Sequence, residues 1–112
     1  MSSDQERRIF ERFSARFPVK FKDTREDYGT DVFLRDASAQ GVRIMSKERL
    51  FKDDQVALEV ALPDGGNPMI LNGRVVWTKL SNLSMWDAGV EFTQINFLKM
   101  QRLFKFTEGL AT

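Results

Sequence analysis

Arg7 and Arg8 stand near the start of the chain, with Arg12 four residues beyond Arg8. Further along comes Asp36-Ala37-Ser38-Ala39-Gln40-Gly41, an acid, a hydroxyl and a glycine in a segment that reads as a turn between two strands. Guanidinium groups pair bidentately with guanine O6 and N7 or with phosphate oxygens, and their flat faces stack on bases. A carboxylate accepts from guanine N1–H and N2–H2, and a serine hydroxyl serves a phosphate or a base edge. Together the two segments are complementary to a guanine nucleotide. This is binding chemistry, with no catalytic group in view.

The sequence excludes most catalytic machinery. It holds no His and no Cys, so a Ser–His or Cys–His nucleophile cannot be assembled. Ser38 sits in no G-x-S-x-G elbow, and no Walker-type or dinucleotide glycine loop occurs. The adjacent carboxylates Asp53-Asp54 lack the spacing of a metal loop and read as a polar turn. No enzyme activity, metal or resident cofactor is expected.

At 112 residues, 42% of them hydrophobic and 29% charged, the chain has the size and composition of one globular domain whose ten Phe mostly go inside. No apolar run approaches the length of a membrane span, and the first residues lack the shape of a signal peptide. With the absence of Cys, these features predict a cytoplasmic protein without membrane insertion. The net charge is +1, which does not favour a polyanion. Residues 5–25, however, carry seven basic side chains against three acids, a local excess suited to a small phosphate ligand.

The elements that must position these groups are mostly strands. Val19 and Phe21 alternate with Lys20 and Lys22, Val32 and Leu34 with Phe33 and Arg35, and Val42 and Ile44 with Arg43 and Met45. Val56, Leu58, Val60 and Leu62 form another apolar series before the turn signal Pro63-Asp64-Gly65-Gly66-Asn67-Pro68. A long strand from Met69 to Lys79 is predicted to place Val75 and Trp77 on one face and Val76 on the other, and Gly89-Val90-Glu91-Phe92 ends the series. Six strands with no helix between them argue for a barrel or sandwich. Phe97, Met100 and Phe104 then recur at helical spacing, widened by Leu103 and Phe106, with Asn96 as N-cap and Gly109 as stop. The predicted organisation is an arginine-bearing N-terminal arm (1–15), strands over 16–93 and a C-terminal helix over 94–109. No long heptad calls for self-association, so a monomer is expected.

Either motif alone has an ordinary explanation. Arginines four apart make a solvated helix turn, and Asp-x-Ser-x-x-Gly makes a turn ended by a left-handed glycine. Their order around a first strand, followed by Gly73-Arg74-Val75-Val76-Trp77 and Ala88-Gly89-Val90-Glu91-Phe92, is far less expected by chance. On these four segments the chain resembles the PilZ family, bacterial receptor domains for cyclic di-GMP, over residues 6–108. The resemblance implies a mainly β fold, a six-stranded antiparallel barrel with a C-terminal helix. It implies that Arg8 and Arg12 grip guanine edges and phosphates, that Asp36 and Ser38 meet the opposite side of the ligand, and that Gly41 allows close backbone approach. Arg7 matches an extra arginine carried by members that bind an intercalated ligand dimer. Trp77 is either an aromatic at the core's rim or a further stacking surface for guanine, worth about 1–3 kcal/mol if it stacks.

The expected mechanism is ordering of the arm on the ligand, which signals to an unidentified downstream protein. Two alternatives differ in class. A nucleic-acid-binding barrel would use the basic arm and surface aromatics on single strands, though the near-neutral charge gives no reason to expect nucleic acid. A ligand-independent interaction module would work through the outward face of residues 97–106, with Lys99 or Arg102 as markers.

Overall fold

The computed structural model describes residues 11–22, 32–81, 84–94 and 97–111, and among these it shows seven strands and one helix. The strands are β1 (Phe13–Ser14), β2 (Pro18–Phe21), β3 (Val32–Ser38), β4 (Gly41–Ser46), β5 (Gln55–Val60), β6 (Met69–Leu80) and β7 (Trp86–Phe92), and the helix α1 is Phe97–Ala111. All pairings are antiparallel. The order β3-β2-β5-β6-β7-β4 closes on itself through β3 and β4, giving a six-stranded barrel. The two-residue β1 lies end to end with β2 along the same edge of β3, so the sheet begins at Phe13, inside the segment expected as an arm. Residues 1–10 of that segment lie outside the described residues.

Closure follows from the alternation. Leu34, Val42, Ile44, Leu58, Val60, Leu71 and Val75 project inward and are buried, and α1 adds Met100, Leu103 and Phe104 to the same core. A closed sheet leaves no long open edge, and each strand donates every second side chain to the interior. The ring of Phe13 meets that of Phe104 edge-on at 5.1 Å, which ties the segment beside Arg12 to the helix.

Three details of the sequence reading change. The outward helix markers are not free: Lys99 Nζ donates to the carbonyl of Ile70, and Arg102 holds the Asp64 carboxylate through Nε (2.9 Å) and Nη2 (3.0 Å). Long basic side chains on the flank of a packed helix can reach back to a neighbouring turn, and these two do so. The helix also runs through Gly109 to Ala111 instead of stopping there; Asn96 lies outside the described residues. Finally, Val75 and Trp77 do not share a face. Val75 pairs with Val90 and Trp77 with Gly89, so Val76 is an extra residue in β6, and this bulge turns Trp77 outward.

Candidate functional site

A second bulge mirrors the first. On β3, Leu34 pairs with Ile44 and Asp36 with Arg43, leaving Arg35 unmatched. Strict alternation from Leu34 would send Asp36 into the core. The extra residue sends it outward and returns Ala37 to the interior opposite Val42, both fully buried. The two bulges therefore deliver Asp36 and Trp77 to the same outer surface.

Across that surface the register aligns two rows. Asp36 stands opposite Arg43, Arg43 opposite Gly89, and Gly89 opposite Trp77. Beside it, Ser38 stands opposite Gly41, Gly41 opposite Glu91, and Glu91 opposite Arg74. Trp77 is 39% exposed, and a cavity of about 240 Å³ is lined by Arg12, Ser38, Gln40, Gly41, Trp77, Glu91 and their neighbours.

Each wall has a local cause. Arg12 and Arg43 both pair with the Asp36 carboxylate, Arg12 through Nη1 to Oδ1 and Arg43 Nε at 2.8 Å from Oδ2. The buried Arg43 Nε has no aligned hydrogen-bond acceptor, so this second contact is an ion pair by proximity. Arg12 remains 53% exposed, with donors left over for a ligand. Ser38 is 6% exposed, and its Oγ accepts the Gln40 N–H at 3.2 Å. That turn leaves the serine O–H free to donate. Gly41 is not the left-handed turn residue expected from the motif alone, because among the described glycines only Gly65 has a positive φ. A Cβ on Gly41 would instead run into the Val90 carbonyl, so the glycine is required by the approach of β7. Gly89 likewise makes room for the Trp77 indole.

The site thus unites Arg12, Ser38, Gly41 and Trp77 around one cavity and places Asp36 behind Arg12. Arg7 and Arg8 lie outside the described residues. Sequence reasoning missed Arg43, Gly89 and Glu91. The outward alternation of Arg43 with Val42 and Ile44 was a usable signal, and Gly89 and Glu91 lay in a segment already singled out. Asp53 and Asp54 form a turn against β6, with the Asp53 N–H on the Val75 carbonyl and Asp53 at φ 75°. Among the described residues, no group of three or more acidic, His or Cys side chains is placed to hold a metal.

The outer wall of this antiparallel barrel thus carries a cavity lined by a guanidinium, a carboxylate and an indole. The PilZ domain profile matches residues 6–109, and the chain belongs to the PilZ domain family. Its domains are binding and adaptor modules, and cyclic di-GMP receptors are among them. Among solved structures, the chain is similar to the Inhibitor of motility (MotI/DgrA) from Bacillus subtilis, with a TM-score of 0.61 and 16% identity over 90% of this chain and 50% of that one. The chain spans about half the length of that protein, and the likeness shows the shared fold. No curated protein matches the sequence. No helix among the described residues is long and apolar enough to cross a membrane.

Proposed function

We propose that this domain is a cyclic di-GMP receptor that acts as a monomeric adaptor in the bacterial cytoplasm, without catalysis or a resident cofactor. The observation that carries the reading is the convergence of Arg12, Ser38 and Trp77 on one cavity, within a chain of the PilZ family. A guanine lies on the indole, and the phosphates take donors from Arg12 and Ser38. Arg7 and Arg8 complete the grip on the ligand together with Arg12, and Arg7 supports an intercalated ligand dimer. Asp36 acts behind the site, holding Arg12 and Arg43 by charge. Because Phe13 packs on Phe104, fixing the arm on a ligand changes the surface beside α1, which a downstream protein reads. No observation favours a nucleic-acid barrel, and Lys99 and Arg102 are engaged in holding α1 to the barrel.

Isothermal titration with cyclic di-GMP tests the reading, with Arg8→Ala as the control. The expected result is saturable binding that the substitution removes, at a ratio near two ligands per chain if Arg7 supports a dimer. A folded wild-type protein that releases no binding heat and shows no ligand-induced thermal shift would overturn it.

A further inference from the structure

Two carboxylates serve this surface, and they are in opposite states. Asp36 is held by two guanidinium groups and does not line the cavity. Glu91 is exposed and lines the cavity, and its carboxylate makes no hydrogen bond or ion pair among the described residues. Its cross-strand neighbour Arg74 directs Nη1 toward Asp53 at 3.5 Å. On its other side stands Gly41, which has no side chain to occupy the space above the sheet. A second cavity of about 310 Å³ adjoins the first at Gln40 and Glu91, so the carboxylate stands where the two meet.

An unpartnered carboxylate offers only acceptors. Phosphate oxygens are repelled by it, whereas the guanine N1–H and N2–H2 edge presents two donors in parallel. Adenine presents an unprotonated N1 at the corresponding place. Arg12 attracts the phosphates, and Trp77 supplies a stacking face without discriminating among bases. We propose that Glu91 reads the N1–H and N2–H2 edge of a bound guanine and is the residue that selects guanine over other bases. This rests on the receptor reading above and assigns the free acceptor to Glu91, where the motif alone pointed to Asp36.

The test titrates the full chain with cyclic di-GMP, cyclic di-IMP (whose bases lack the 2-amino group) and cyclic di-AMP. Wild type, Glu91→Ala and the near-isosteric Glu91→Gln are compared, with thermal unfolding as a check on folding. Wild type should bind cyclic di-GMP roughly 10- to 100-fold more tightly than cyclic di-IMP, and Glu91→Ala should lose about the same factor and the preference with it. Glu91→Gln should also weaken cyclic di-GMP, because its amide keeps one acceptor but sets its NH2 against the second guanine donor. If wild type binds cyclic di-GMP and cyclic di-IMP equally, or Glu91→Ala binds cyclic di-GMP as wild type does, the role of Glu91 is overturned and the receptor reading stands. If wild type binds no cyclic di-GMP, both fall together. If Glu91→Ala fails to fold, the near-isosteric Glu91→Gln decides: a folded Glu91→Gln that keeps the full wild-type preference for cyclic di-GMP over cyclic di-IMP overturns the role of Glu91.

Discussion

The indole of Trp77 lies across Gly89, with its Nε1 in the space that a Cβ at position 89 would fill. The contact is a product of register, since only the bulge at Val76 brings Trp77 opposite Gly89 on the outer face. The orientation of the indole, and with it the stacking role proposed for it, depends on the absence of one side-chain atom from β7.

Gly89→Ala is therefore expected to push the indole off the sheet. Ligand affinity should fall about 10-fold or more, in line with about 1–3 kcal/mol for base stacking on an aromatic. The same change in a Trp77→Ala background should have little further effect on binding. A double-mutant cycle in titration calorimetry measures this coupling. Additive losses would show that Gly89 acts independently of the indole.

On the proposed function, Arg12 and Asp36 are expected to divide binding from support. Arg12 is half exposed and its ion pair is worth about 0–1 kcal/mol in such a setting, so Arg12→Ala should abolish detectable cyclic di-GMP binding with little change in Tm. Asp36→Asn keeps one acceptor but releases the charge that restrains both arginines. It should weaken binding less than Arg12→Ala does. Titration and thermal unfolding of the two variants side by side separate the roles, and a large Tm loss on Arg12→Ala would make that arginine structural.

The helix clamp predicts a pH dependence. The Gly66 N–H, which donates to Asp64 Oδ1 at 2.9 Å, and then the Arg102 guanidinium hold the Asp64 carboxyl below its ordinary value. A carboxyl whose folded pKa is depressed contributes stability above its unfolded pKa and loses it as pH falls through the folded one. The contribution should be complete above about pH 5 and fade progressively below about pH 4. Asp64→Asn should lower Tm near neutral pH and flatten its decline in acid, as thermal unfolding across that range would register. Equal slopes for wild type and variant would show that Asp64 does not carry this linkage.

The strands that build the barrel wall were legible because period-two alternation is a local property, and Val42 with Ile44 or Leu58 with Val60 shows it within a few residues. The helical period of Met100, Leu103 and Phe104 was equally plain. So were the arginines and the Asp-Ser-Gly turn, whose chemistry lies in residue type. Local pattern could not reveal the two extra residues, Arg35 and Val76, because a bulge is defined only against its partner strand. Those two insertions decide that Asp36 and Trp77 leave the core.

By itself, then, the sequence determined a small antiparallel β domain, barrel or sandwich, ending in a helix and bearing a guanine-compatible set of groups, since burial patterns and functional chemistry are written in residue types. Tertiary structure alone decided that Asp36 is occupied by Arg12 and Arg43 while the Glu91 carboxylate has no partner among the described residues, and that Gly41 and Gly89 are required by neighbouring groups rather than by backbone conformation. The reason is physical. Cross-strand neighbours such as Arg43 and Gly89, or Gly41 and Glu91, are far apart in the chain and meet only when register is set by packing the interior.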